Sequence, residues 1–139
     1  MKLLTLPIAL ALTISLSTSS SDKDKQPKLS IKANPAMAFS PARVVFTADI
    51  TGGPNDFEEF YCPSIQWEWG DGTESDATAD CEPYQAGKSE IKRRFTADRV
   101  YRSTGEYRVQ LRLKKHDKVI AAASTTVKIR PGLGDPGGG

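Results

Sequence analysis

The sequence predicts an all-β protein, an antiparallel β-sandwich of about seven short strands. Apolar and polar residues alternate in several runs, and this two-residue period is typical of a strand with one buried face. Glycine, proline and asparagine separate the runs at short intervals, as they do in a sandwich. No stretch repeats apolar residues with the 3.6-residue period of an amphipathic helix.

The predicted strands cover most of the middle of the chain. A glycine-rich turn at residues 52–55 ends the second strand. The fourth has a mixed, weakly specified face, because Arg93 lies in register with its apolar residues. The sixth has apolar or small residues at every odd position, so Val119 is expected to face the core. In order, the predicted strands are residues 28–33, 44–50, 65–69, 91–95, 107–113 and 119–129.

The two ends of the chain differ from this domain. Residues 1–21 hold one lysine, an apolar stretch and a run of small residues, a pattern typical of a secretory signal peptide. The apolar stretch is shorter than the roughly 20 residues of a membrane span, so we expect no stable membrane insertion after signal cleavage; an uncleaved anchor is the alternative. Residues 22–28 are predicted as a polar linker, 29–130 as the domain, and 131–139 as a flexible Gly- and Pro-rich tail. The expected location is secreted, in the periplasm or outside the cell.

Cys62 and Cys81 are the two cysteines of the chain. In an oxidising compartment we expect them to form a disulfide, and closing a loop of about 20 residues contributes on the order of 3 kcal/mol. Two separate buried thiols are the alternative. Two thiolates and the single histidine, His116, fall short of the four ligands of a zinc site. We predict no metal site and no cofactor.

Two motifs carry a family resemblance. One is Trp67-Glu68-Trp69-Gly70-Asp71-Gly72, and the other joins Val100-Tyr101, Gly105 and Tyr107-x-Val109-x-Leu111. Together they resemble the PKD domain, an Ig-like β-sandwich of surface proteins, over about residues 29–129. The resemblance implies an Ig-like fold in which the motif builds the core rather than a site. The motif residues are Trp67, Trp69, Gly70, Asp71, Gly72, Tyr101, Gly105, Tyr107 and Val109.

Asp71 has two possible roles in this motif. Its side chain can accept hydrogen bonds from neighbouring amides and so hold the turn. The alternative is a calcium ligand, but one carboxylate is far short of the roughly six to eight oxygens that calcium takes.

The chain departs from the PKD pattern between the two motifs. Residues 73–99 form a connection of 27 residues, where the family has a much shorter gap. We predict an extra hairpin or a long crossover here, pinned by the disulfide. Aromatic residues near the two cysteines form the candidate binding surface; the alternative is that they cap the end of the core. They are Phe57, Phe60, Tyr61 and Tyr84.

Charge is segregated along the chain, although the formal net charge is only +2. Residues 49–82 hold ten acidic residues and no lysine or arginine, whereas residues 88–130 hold thirteen basic and four acidic residues. The basic face could meet an acidic polysaccharide, or opposite halves of neighbouring subunits could attract each other. The alternative is pairing within one molecule, with Glu68 facing Arg108 or Arg112. Export and the low net charge argue against nucleic acid.

Nothing in the sequence indicates an enzyme. His116 lies in a predicted turn between lysines, and the serine and aspartate residues lack the spacing of a nucleophile elbow. We therefore predict a non-catalytic, extracytoplasmic binding or adhesion module that contacts a protein or a polysaccharide at the cell surface. The alternative is a structural subunit that self-associates through its segregated acidic and basic surfaces.

Overall fold

The computed structural model describes residues 26–132, together with residues 3, 4, 11 and 13–15. Within residues 26–132, eight strands and one 3₁₀ turn form two sheets. Nearly all of the predicted signal peptide and residues 22–25 and 133–139 lie outside the described residues. Across the described part of the chain, no helix has the length and apolar content needed to cross a membrane.

The two sheets face each other as the layers of a sandwich. The strands β1, β3 and β6 form a three-stranded sheet, and β2, β8, β7, β4 and β5 form a five-stranded sheet in that order. The pairs are antiparallel except for β2 with β8, which is parallel and departs from the predicted arrangement. The elements are β1 (Lys28–Asn34), β2 (Met37–Phe39), β3 (Ala42–Thr51), the 3₁₀ turn (Glu58–Phe60), β4 (Ser64–Glu68), β5 (Glu74–Ala77), β6 (Arg94–Tyr101), β7 (Gly105–Lys115) and β8 (Lys118–Arg130).

The core lies between the sheets and follows the predicted alternation. Every second residue of β3 is buried, from Ala42 to Ile50. In β7 the side chains of Val109, Leu111 and Leu113 are completely buried. Burial of each such side chain contributes roughly 1.5–3 kcal/mol, so these two rows stabilise the contact between the sheets.

One face was predicted incorrectly, at the start of β8. The register between β7 and β8 shifts at Leu113 and Lys114, so that Leu113 pairs with Ala121 and Lys114 with Val119. Ile120 is therefore an extra residue in β8, a bulge that reverses the alternation on one side of it. As a result Val119 is 46% exposed instead of facing the core.

The domain also extends slightly beyond its predicted limits. Pro27, placed in the linker, is buried, and Lys28 opens β1 as the predicted first strand has it. At the other end, the backbone N–H of Gly132 donates to the hydroxyl oxygen of Ser40 at 3.2 Å, so the first residues of the predicted tail are tied to the sandwich.

The connections fall at two ends of the sandwich. At one end, residues 52–63 join β3 to β4 and residues 78–93 join β5 to β6; we call this the stapled end. At the other, residues 69–73 join β4 to β5 and residues 102–104 join β6 to β7; we call this the motif end.

Candidate binding surface at the stapled end

A disulfide holds two loops together at the stapled end. Cys62 follows the 3₁₀ turn, Cys81 lies in the connection after β5, and their sulfur atoms are bonded. The predicted disulfide is therefore confirmed. The predicted connection, residues 73–99, holds both features: β5 forms a short hairpin with β4, and residues 78–93, which contain no strand, cross over to β6. We call residues 55–62 and 78–90 the stapled loop.

Hydrogen bonds between the two halves of the stapled loop fix its tyrosines. The hydroxyl of Tyr61 donates to the carbonyl of Glu82 at 2.5 Å, and the hydroxyl of Tyr84 donates to the carbonyl of Asp56. The Asp56 carboxylate accepts a bond from the backbone N–H of Gly87 at 2.9 Å. Both halves supply donors or acceptors, so the loop is held by more than its disulfide.

The four aromatic residues proposed from the sequence separate into two pairs. Phe57 and Phe60 meet edge to face, with ring centroids 5.5 Å apart. Phe60 is 1% exposed and Phe57 packs against the same core. The structure thus corrects the assignment of Phe60 to a contact surface, because its ring lies inside the core. The rings of Tyr61 and Tyr84 are also 5.5 Å apart, and both residues are partly exposed.

An open depression of about 530 Å³ lies beside the exposed tyrosine pair. Its lining combines one aromatic ring with carboxylate, amide, ammonium and hydroxyl groups, all of which can donate or accept hydrogen bonds. Among the described residues, no three His, Cys, Asp or Glu side chains come together in a way that could hold a metal ion. The lining residues are Tyr61, Glu82, Pro83, Gln85, Lys88, Ser89 and Glu90.

The stapled loop places negative charge around Tyr84. Removal from water raises the pKa of Tyr84 above its ordinary value, and the charges of Asp56 and Glu58 raise it further. The phenol is therefore neutral at physiological pH and keeps the proton that it donates to the Asp56 carbonyl.

Two basic side chains frame the stapled loop, and neither was predicted to do so. Arg93 donates to the carbonyls of Gly52 and Gly53 at 2.9 and 3.1 Å. Lys115 donates to the carbonyl of Glu58 at 2.5 Å. Arg93 lies in register with the apolar residues of the predicted fourth strand, but no pattern in the sequence relates it to the glycine turn at residues 52–55.

The motif residues form core at the opposite end. The rings of Trp67 and Trp69 stack with centroids 5.1 Å apart, and Phe46 packs against both. The buried hydroxyl of Tyr101 donates to the carbonyl of Trp69 at 2.9 Å. The ring of Tyr107 lies 4.4 Å from that of Tyr101. The buried rings hold the sheets together, and outside them Gly70 and Gly72 line a polar depression of about 460 Å³.

Asp71 closes the turn between β4 and β5. One carboxylate oxygen accepts from the backbone N–H of Thr73 at 3.0 Å, and the other accepts from the guanidinium of Arg99 at 2.7 Å. Partial burial acts to raise the pKa of Asp71, but the bonds from Thr73 and Arg99 outweigh it, and the pKa lies below its ordinary value. With both oxygens bonded within the protein, the turn role is favoured over the calcium alternative.

The segregated charges are only partly paired within the molecule. Three ion pairs of 2.7–2.9 Å join the acidic segment to the basic one: Asp49 with Arg94, Glu68 with Arg112 and Asp71 with Arg99. The other seven acidic residues of the segment make no ion pair within the described part of the chain. They are Asp56, Glu58, Glu59, Glu74, Asp76, Asp80 and Glu82.

No family model matches the chain, and no curated protein sequence matches it. Solved structures share its fold. The PKD domain of an M14-like peptidase from a Thermoplasmatales archaeon superposes with a TM-score of 0.52 at 14% identity, over 77% of this chain and 98% of that one. The CARDB domain of a Pyrococcus furiosus protein, solved in complex with di-metal ions, gives a TM-score of 0.51 at 10% identity, over 81% of this chain and 100% of that one. At these identities the similarity shows the fold alone, which is the predicted Ig-like sandwich.

Proposed function

Starting from a PKD-like β-sandwich with a disulfide-bonded loop at one end, we propose that the chain is a non-catalytic, extracytoplasmic binding module. It contacts a polysaccharide or a protein at the cell surface through the depression beside Tyr61 and Tyr84. The observation that carries this proposal is the tyrosine pair, two partly exposed rings whose hydroxyls are both bonded to backbone carbonyls.

Fixed aromatic rings are favourable anchors for a ligand. Because both tyrosines are already held by the stapled loop, little side-chain freedom is lost when a partner binds. A tyrosine also offers a large apolar area for its two rotatable side-chain angles. Tyr61 lines the depression and the ring of Tyr84 lies 5.5 Å from it, so the pair presents a preformed contact area.

The lining favours a carbohydrate as the ligand. Sugars present hydroxyl groups at their edges and C–H groups on their faces. The polar side chains of Glu82, Gln85 and Lys88 supply acceptors and donors for hydroxyls, while the Tyr61 ring supplies a surface for a C–H face. A protein segment with polar side chains is the second ligand class that this lining accommodates.

Separate observations support the extracytoplasmic location and the non-catalytic role. A disulfide between Cys62 and Cys81 is typical of proteins that fold outside the cytoplasm. His116 is exposed in the turn between β7 and β8 and does not line the depression. The similar PKD domain from a Thermoplasmatales archaeon is one domain of a peptidase, which supports a role for this fold as a module.

Binding is tested by co-sedimentation of the protein with insoluble polysaccharides and with the cell envelope of its host, at low and high salt. We expect retention on a glycan or on the envelope, and a loss of about tenfold in affinity for Tyr84→Ala. Tyr84→Phe keeps the ring but removes the bond to Asp56, so it is expected to retain most of the binding.

The matched control is Phe39→Ala, which removes an exposed aromatic ring on β2, 64% exposed and outside the stapled loop. An equal loss for Phe39→Ala, or a loss of circular dichroism in Tyr84→Ala, would contradict a contact role for the tyrosine pair. No retention of the folded protein on any glycan or envelope fraction would overturn the proposal.

A further inference from the structure

We propose that the protein assembles head to tail, by pairing the β5 edge of one copy with the β8 edge of the next. The two edges lie at opposite sides of the five-stranded sheet, β5 at one side and β8 beside the short β2 at the other. This surface is separate from the tyrosine pair, so it stands or falls independently of the proposed function.

Among the described residues, residues 121–127 of β8 have a paired strand on one side only, and β1 packs against β8 without pairing with it. β8 pairs with β7 throughout, but β2 covers its other side only from Lys128 to Arg130. β1 pairs instead with β3. The bulge lies at Ile120, which leaves residues 121–127 as a regular strand without charge, proline or glycine. Natural proteins usually protect such an edge, because its free N–H and C=O groups pair readily with another strand.

The β5 edge is open and acidic. Within the described residues β5 pairs only with β4, and its four residues are all exposed. Glu74 and Asp76 make no ion pair there. Since strand direction alternates across β8, β7, β4 and β5, β5 runs opposite to β8. A second copy in the same orientation therefore presents β5 to β8 as an antiparallel partner.

The charges of the two edges are complementary. Arg108 on β7 leans over β8, with its guanidinium nitrogen 3.2 Å from the hydroxyl oxygen of Ser124. Arg108 has no carboxylate partner among the described residues. With Asp76 of the added strand opposite Ser124, its carboxylate comes within reach of that guanidinium, across short side chains that do not block it. Glu74 then lies opposite Thr126.

The paired edge is short, so the association is weak. An open edge that pairs with a different edge gives a contact that does not close, and copies continue to add. Sedimentation velocity of the full protein at low salt is expected to show a sedimentation coefficient that rises with concentration from micromolar to millimolar. High salt is expected to lower it, since the carboxylate–guanidinium contacts are exposed.

Charge reversal tests the contact itself. Asp76→Lys and Arg108→Glu each replace an attraction by a repulsion and are expected to weaken self-association about tenfold. An equimolar mixture of the two variants is expected to associate as the unaltered protein does, because the introduced lysine of one then faces the introduced glutamate of the other.

Two further variants keep the test decisive. Glu59→Lys makes the same change of charge at an exposed position of the stapled loop and is expected to have no effect. Ala122→Lys puts a charge on the exposed face of β8 and is expected to weaken association without altering β5. A monomer at every concentration, an equal effect of Glu59→Lys, or no recovery in the mixture would each overturn the proposal; circular dichroism confirms that each variant is folded.

Discussion

The two ends of the sandwich are held by different kinds of contact. At the motif end, side chains pack ring on ring, and the buried Tyr101 hydroxyl bonds the carbonyl of Trp69. At the stapled end, long side chains reach to backbone carbonyls, as Arg93 does to Gly52 and Tyr84 to Asp56. The motif end thus belongs to the core, whereas the stapled end is a frame around an open surface.

This difference separates stability from binding. Tight ring packing tolerates little change, because core substitutions leave cavities that relax only partly. A loop fixed by a disulfide and by bonds to its backbone can vary the side chains between those anchors. In this chain, the depression is lined by side chains such as Gln85 and Ser89. Substitutions there are expected to change ligand affinity more than the stability of the fold.

The largest expected effect is at the motif end. Trp69→Ala removes a buried ring that stacks on Trp67 and contacts Phe46, and we expect a loss of about 3–5 kcal/mol in the free energy of unfolding. Urea denaturation followed by circular dichroism measures it. Phe57→Ala, at the half-buried position of the stapled end, is the comparison, and a cost as large as that of Trp69→Ala would contradict the division between the two ends.

The next effect is at the stapled end. Replacing both Cys62 and Cys81 by serine opens the disulfide and is expected to cost about 3 kcal/mol by the chain-entropy estimate. Hydrogen exchange read residue by residue should show lost protection in the stapled loop and unchanged protection around Tyr101. Equal loss at both ends would mean that the disulfide supports the whole sandwich.

The sequence predicts the motif end well because its information is local. The residues from Trp67 to Gly72 are contiguous, and alternation alone places both tryptophans on one face. The stapled end depends on bonds between distant positions. Tyr84 and Asp56 are 28 residues apart, and Arg93 and Gly52 are 41 apart. No local pattern specifies such a bond, so the cysteines could indicate that the two loops meet but not how.

The edge strands β2 and β5 were not predicted, for a related reason. β5 is exposed on both faces and β2 has three residues, so neither shows the apolar alternation that identifies a strand. The bulge at Ile120 likewise reverses which residues of β8 face the core, and no glycine or proline in the sequence marks its position. Strands buried on one face were predicted with the correct faces, except at the start of β8, whereas β2 and β5 were not predicted as strands.

A pair of glycines tests how closely the motif end approaches β7. A methyl group on Gly70 would lie 2.7 Å from the carbonyl oxygen of Arg108, whereas one on Gly72 would meet open space. Both have a left-handed backbone, with φ of 80° and 86°, which costs a residue with a side chain about 1–2 kcal/mol. In urea denaturation, Gly72→Ala should lower the free energy of unfolding by that backbone cost alone. Gly70→Ala should lower it further, because its methyl group also meets the carbonyl of Arg108. Equal costs would mean that the backbone of β7 moves aside freely.

The smallest effect concerns the phenol of Tyr101. Tyr101→Phe keeps the ring but removes its bond to the carbonyl of Trp69, and we expect a cost of about 1 kcal/mol at pH 8. Burial raises the pKa of Tyr101 to about 12, and the charge of Asp71 adds to that shift. Because the folded pKa lies above the ordinary value of 10.0, the unfolded chain releases this proton first as pH rises.

The stability that the phenol contributes is therefore complete below pH 10 and is lost as pH rises from there toward about 12. Tyr101→Phe cannot lose it, so the difference in unfolding free energy between the protein and this variant should narrow as pH rises from 10 toward about 12. A difference that stays constant over this range would contradict the placement of the Tyr101 phenol in the buried core of the motif end.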